Sequence, residues 1–193
     1  MDEDLPRYSS KGISIVETLV QGPGSVVGRV LVDGTEMLGK VRGRGLHGSS
    51  LHHELSRLHQ IRQARLHQRA QVRVPPLLGY ITHPEAGCVV GFVRAWIPGE
   101  RLKDAVRGAT PERRRKWASQ VREAVDQLHE MGVVWGDGKP SNVVVDESDD
   151  VWLIDLEGGC TEGWVDPELA DTVEGDEQAV RRITSFLRVE EGS

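Results

Sequence analysis

The sequence predicts an α+β fold, β-rich in its first half and mainly helical in its second, and three observations lead there. Apolar runs broken by Gly, Pro and Asp fill residues 13–41 and 77–93, and one break is Asp33-Gly34, a strong tight-hairpin dipeptide. Leu51, Leu55, Leu58 and Ile61, and later Trp117, Val121, Val125 and Leu128, recur at helical spacing. A glycine-punctuated run, Val133 to Asn142, then precedes two short strand-like segments. At 193 residues the chain makes one domain or two small lobes, and about 70% of its unfolded surface can be buried on folding.

The first strand is expected over Ile13 to Val20, followed by the turn Gln21-Gly22-Pro23-Gly24-Ser25 and by strands over Val26–Val32 and Met37–Val41. Lys40 stands near the end of the third strand, where an unpaired ammonium would be costly to bury. The next helix supplies a carboxylate. Ser49 and Ser50 offer caps, and Glu54 falls three residues after Leu51 and four before Leu58, beside the apolar stripe. Val74-Pro75-Pro76 ends that pattern, and Leu77–Thr82 and Cys88–Val93 read as a strand pair. Leu102 to Val106 forms a short helix. Thr110-Pro111-Glu112 starts a long one, with a capping hydroxyl, proline at the first helical position and an acid favoured by the dipole, and Gly132 ends it. Val143–Val145 and Val151–Asp155 are short strands, and Gly175-Asp176 opens a last helix through Leu187.

Bulk properties narrow the function classes. Cys88 and Cys160 are too few and too far apart for a disulfide framework or a zinc site, so a reducing cytoplasmic setting, or the nucleus, is expected. The start MDEDLPRYSS is acidic and polar, so no secretory signal is expected, and no run approaches the roughly 18 apolar residues of a membrane span. The net charge of −6 hides an asymmetry. From Lys40 to Arg73 Glu54 is the lone acid, whereas from Asp146 onward acids dominate against Arg181, Arg182 and Arg188. A solvated helix face is the simplest account of the basic stretch. An acidic partner at Arg57 to Arg73 is the functional one, and nucleic acid is not expected. The histidines at 47, 52, 53, 59 and 67 lack convergent Cys or acidic ligands and are expected at the surface.

The run Val133-Val134-Trp135-Gly136-Asp137-Gly138-Lys139-Pro140-Ser141-Asn142, with Val151-Trp152-Leu153-Ile154-Asp155 behind it, carries the chemistry. It puts two carboxylates, an ammonium and an amide on one short scaffold. Phosphoryl transfer from ATP to a hydroxyl needs that set: a carboxylate to accept the proton, oxygen ligands for Mg2+, and a cation near the transferring phosphate.

On these residues the chain resembles the catalytic and metal-binding core of the eukaryotic protein kinase superfamily. The family's HRD-x-K-P-x-N and DFG motifs read here WGD-G-K-P-S-N and DLE. The match is closest to compact kinase-like proteins common in fungi, and the GD form is similar to that of small atypical kinases such as the one in the tRNA-modifying KEOPS complex. The resemblance implies a bilobal fold: a β-rich N-lobe with a helix over residues 1–93, a hinge over 94–99, and a shortened, mainly helical C-lobe over 100–193. It further implies that Gly22 and Gly24 lie over the ATP phosphates, that Lys40 holds phosphates with Glu54 orienting it, and that the backbone of residues 94 to 96, Arg94 to Trp96, meets the adenine edge. Asp137 would deprotonate the acceptor hydroxyl, Lys139 would stabilise the γ-phosphate, and Asn142 and Asp155 would bind Mg2+. Asp176 is in register to hold the catalytic loop by its backbone, and Pro167-Glu168 is the counterpart of the family's A-P-E.

Three departures accompany it. Trp135-Gly136 replaces His-Arg, which removes the usual receptor for a phosphorylated activation loop. Glu157 takes the glycine position of DFG, and the C-lobe is short. The expected function is thus a small protein serine/threonine or atypical kinase with ATP and Mg2+. A pseudokinase-type nucleotide-binding or scaffold module is the alternative, ahead of a small-molecule kinase.

Overall fold

The computed structural model describes residues 4–22, 25–42, 49–68 and 72–189. Gly24, Pro23 and His47 lie outside the described residues, as do the side chains of Ser49, Ser50 and His67. The fold is α+β, with a β-rich N-terminal region and a largely helical C-terminal part, as the sequence predicts. Two compact units divide the chain, Met1–Arg62 with Pro75–Trp96, and Gln63–Val74 with Ile97–Ser193.

The first unit is built on six strands: β1 (Arg7–Ser9), β2 (Ser14–Gln21), β3 (Ser25–Val32), β4 (Thr35–Arg42), β5 (Leu77–Thr82) and β6 (Val89–Ala95). Their order is β1-β5-β6-β4-β3-β2, antiparallel except where β1 lies parallel to β5. Asp33 and Gly34 both have positive φ, 49° and 79°, the backbone twist that joins two strands through two residues. Val30, Val32, Met37, Ile81 and Val93 form an apolar cluster. Beside it an apolar pocket of about 170 Å³ is lined by Ile13, Ile15, Val26, Val41 and neighbours. Helix α1 (Ser49–Gln68) turns Leu51, Glu54, Leu55, Leu58 and Ile61 inward, all buried.

β2 is one of the two edge strands, and every one of its residues is exposed. Its ladder with β3 slips twice, between Ile15 and Glu17 and between Thr18 and Val20, so Val16 and Leu19 are the extra residues of two bulges. Between the bulges Gly28 faces Thr18, and a Cβ on Gly28 would come within 2.7 Å of the Glu17 carbonyl oxygen. Glycine at 28 therefore answers to strand packing.

The second unit has a three-stranded antiparallel sheet of β7 (Gly99–Arg101), β8 (Val143–Asp146) and β9 (Val151–Leu153). α2 (Leu102–Ala105) and α3 (Pro111–Glu130) pack on it, and α4 (Val173–Phe186) packs on α3. Residues 63–74 belong to this unit: the Leu153 N–H donates to Arg73 O at 2.7 Å, and the Arg65 guanidinium donates to the carbonyls of Val72 and Val74. The Thr110 hydroxyl accepts from the Arg113 N–H and caps α3. Its inner face carries Trp117, Val121, Val125 and Leu128, each fully buried and worth about 1.5–3 kcal/mol for an aliphatic or aromatic side chain of this size.

Two boundaries beside the expected catalytic-loop residues differ from the sequence reading, while other element ends move by one or two residues, as where β6 runs on to Ala95. α4 starts at Val173, because the Thr172 hydroxyl accepts from the Gly175 N–H and caps it, so Gly175 and Asp176 lie within its first turn. β9 stops at Leu153, because the Ile154 N–H turns away to Asn142 O and Asp155 adopts φ +62°. Among the described residues, no helix is long and apolar enough to cross a membrane.

Candidate functional site

Asp137 sits in the loop between α3 and the short 3₁₀ turn Pro140–Asn142. Its carboxylate is engaged at both oxygens. Lys139 Nζ donates to Oδ2, and the Thr161 hydroxyl donates to Oδ1 at 2.7 Å while accepting from Lys139 Nζ at 2.7 Å. The three side chains close a ring around a carboxylate whose side chain is 14% exposed. Charge-assisted bonds of this kind are the strong ones, and they fix the carboxylate's direction. Asn142 joins them: its amide nitrogen donates to Asp137 O at 2.9 Å, which leaves the amide oxygen to act as a ligand.

The loop owes its shape to Asp176 on α4. That carboxylate accepts from the N–H of Trp135 at 2.7 Å and of Gly136 at 2.8 Å, and meets His129 Nε2 at 2.9 Å. Burial pushes its pKa above the ordinary aspartate value, against the opposing pull of the His129, Gly136 and Trp135 hydrogen bonds. The Trp135 indole is fully buried and donates to Ile154 O at 3.0 Å, the carbonyl just before Asp155. Trp135 thereby ties the Asp137 loop to the segment that carries Asp155. Gly138 lets the loop lie on α4, since a Cβ there would meet the Ala179 Cβ at 2.5 Å.

In the first unit, Lys40 on β4 donates to Glu54 Oε2 on α1 at 2.6 Å, with side chains 7% and 2% exposed. The pair is what strand and helix spacing imply: Leu38 and Lys40 share one face of β4, and Glu54 shares the inner face of α1 with Leu51 and Leu58. Arg94 is a buried residue of β6, and Trp96 follows that strand with the Arg29 guanidinium 5.7 Å from its ring centre. The Ala95 N–H between them is taken by Pro76 O at 3.0 Å. At Gly22 a Cβ would meet nothing closer than 4.0 Å, so the fold itself does not require glycine there.

The segment after Asp155 is short and tethered. Gly159 N–H donates to the Asp171 carboxylate, Thr161 enters the ring above, and Asp166 both accepts from and donates to Gln178 while accepting from Arg182 at 2.9 Å. Hydrogen bonds from Gln178, then Arg182, hold the Asp166 carboxyl below the usual carboxylate range. Glu168 is exposed. Thr161 and Asp166 are among the side chains that the sequence reading passes over. A hydroxyl within reach of the loop after Asp155 would have been the signal for the first, and an acid two residues ahead of Glu168 for the second.

His52 and His53 are exposed as expected, whereas His59 Nε2 meets the Tyr80 hydroxyl at 2.6 Å. Cys88 and Cys160 are free and exposed.

No family model matches the chain. Over 99 residues, 50% of its length, the chain is 34% identical to the KEOPS complex subunit Bud32 of Pyrococcus abyssi (strain GE5 / Orsay). The match covers 42% of that relative, so the chain spans less than half of the protein it resembles. The similarity is thus a weak one and is confined to half of the chain.

Proposed function

We propose that the chain is an ATP-dependent phosphotransferase, a small atypical or serine/threonine-type kinase that passes the γ-phosphate to a hydroxyl. The ring of Asp137, Thr161 and Lys139 carries this reading, because it aims a carboxylate beside a cation. Asp137 takes the hydroxyl proton, and Lys139 faces the charge that grows on the transferring group. Thr161 holds both in line. Asn142 and Asp155 present an amide oxygen and a carboxylate, a donor set that suits Mg2+, which when bound neutralises phosphate charge. Lys40, oriented by Glu54, binds phosphate oxygens, Gly22 lies over them, and the backbone of Arg94 and Trp96 meets adenine.

In this reading residues 1–93 and 100–193 act as the two lobes and 94–99 as the hinge, in a cytoplasmic or nuclear setting. The relative is named as a subunit of a complex, which supports a protein partner for this chain as well. One observation favours a second reading: Glu157, partly buried two residues past Asp155, adds negative charge beside the oxygen ligands, which suits a nucleotide-holding scaffold.

Thermal shift with Mg-ATP and transfer of labelled phosphate to the protein itself and to generic acceptors separate the two. For a kinase, Asp137→Asn keeps nucleotide binding and loses at least about a hundredfold in transfer, near 2.7 kcal/mol of transition-state stabilisation, while Asp155→Ala weakens Mg-ATP binding. Binding without transfer in the wild type selects the scaffold, and no binding at all removes both.

A further inference from the structure

Arg101 is the last residue of β7 and pairs with Val144 on β8, which pairs in turn with Trp152 on β9. Paired residues of an antiparallel sheet share a face, so Arg101, Val144 and Trp152 stand together on one side. The opposite side carries Val143, Val145, Val151 and Leu153, all buried at 4% exposure or less. An arginine on this small sheet needs a partner. Its Nη1 atom is nevertheless buried, and no hydrogen-bond partner meets it among the described residues. A guanidinium offers five N–H donors and no acceptor, and leaving one dry and unbonded is destabilising unless something else supplies the oxygen.

The Asp155 carboxylate is informative. Burial lowers the Arg101 pKa, and the Asp155 carboxylate acts in the opposite direction, so the two groups feel each other. Among the described residues they do not form an ion pair. The cation is held near the carboxylate that the proposed function uses, with a donor still to be satisfied. An anionic oxygen meets that need, and a phosphate that arrives with its own divalent cation suits Arg101 and Asp155 together.

We infer that Arg101 donates to a phosphate oxygen of the ligand bound beside Asp155. That this ligand is a nucleotide rests on the function proposed above. Arg101 would then discriminate by phosphate: it strengthens binding of ATP and gives nothing to adenosine.

The test uses the full chain with Mg2+ and four probes, ATP, ADP, adenosine and inorganic tripolyphosphate, titrated by calorimetry against wild type, Arg101→Met and Arg101→Lys. Arg101→Met is expected to lose about tenfold to a hundredfold in affinity for ATP and tripolyphosphate, as removal of a hydrogen bond to a charged group does, and nothing for adenosine. Arg101→Lys retains part of that affinity. The ligand-free melting temperature of Arg101→Met stays level or rises, since a buried donor without a partner has been removed; a purely structural arginine would lower it. The inference is overturned if Arg101→Met binds the phosphate probes as wild type does, loses adenosine in equal measure, or melts lower without ligand. Arg101-dependent binding of tripolyphosphate with no binding of ATP, ADP or adenosine upholds the phosphate contact and removes the nucleotide reading. Binding of none of the four probes removes both.

Discussion

Asp176 illustrates how one side chain sets a loop. It is fully shielded from solvent and accepts two backbone N–H bonds of the Asp137 loop. Because burial raises its folded pKa, the native state binds that proton more tightly than the unfolded chain does. Between the ordinary aspartate value and the raised one, the folded state carries more protons, so stability falls as pH rises through that window. Unfolding midpoints measured across it should decline for the wild type and stay flatter for Asp176→Asn; equal slopes would mean that another group is responsible. At this scale the sequence was informative where chemistry and spacing agree, as for Lys40 and Glu54, whose side chains meet across 14 residues. Thr161 lay beyond it. Its bonds to Asp137 and Lys139 bridge 24 and 22 residues from a segment with no periodicity to read. Trp135 was legible only as a missing histidine, yet its indole supplies a bond of its own to Ile154 O.

At the scale of elements, α4 acts as a platform for the loop, and small residues set how close the two come. Gly138→Ala would drive a methyl into Ala179 and the Trp135 ring, whose nearest atoms stand 2.5 and 3.0 Å from it. The substitution should cost about 1–3 kcal/mol by chemical denaturation, and Ala179→Gly in the same chain should recover much of it. No recovery would mean that backbone conformation at 138, and not contact with α4, is what matters. The segment after Asp155 makes a similar point. Asp166 bonds to Gln178 and Arg182 of α4, whereas Glu168 is exposed, so Asp166→Ala should speed limited proteolysis of residues 156–170 and Glu168→Ala should leave it unchanged. Long elements with strong patterns, α1 and α3 among them, were readable from their apolar spacing. β1 and β7 were not, since each has three residues and finds its partner far along the chain, Arg7 opposite Tyr80 and Gly99 opposite Asp146.

For the whole molecule, reading along the chain yields residues 1–93, a hinge over 94–99 and residues 100–193, while its contacts group residues 63–74 with the second compact unit. The bond that links this stretch to β9, Leu153 N–H to Arg73 O, joins backbone groups and leaves no mark on residue type, while the Arg65 guanidinium holds the stretch together through the carbonyls of Val72 and Val74. The exposed edge of the first unit bears on how copies of the chain behave in company. Ile15, Val16, Leu19 and Val20 would make β2 a ready template for strand-to-strand pairing, and the strand carries no proline and no lysine to discourage it. The two bulges do that work instead, by breaking the regular row of outward N–H and C=O groups on which a second chain would assemble. Deleting Val16 and Leu19 together would straighten the strand, and light scattering of concentrated or refolding samples should then show clumping that the wild type avoids. Equal turbidity would move the protection elsewhere. Two residues that look surplus to the ladder are thus what keeps an oily margin from recruiting its neighbours.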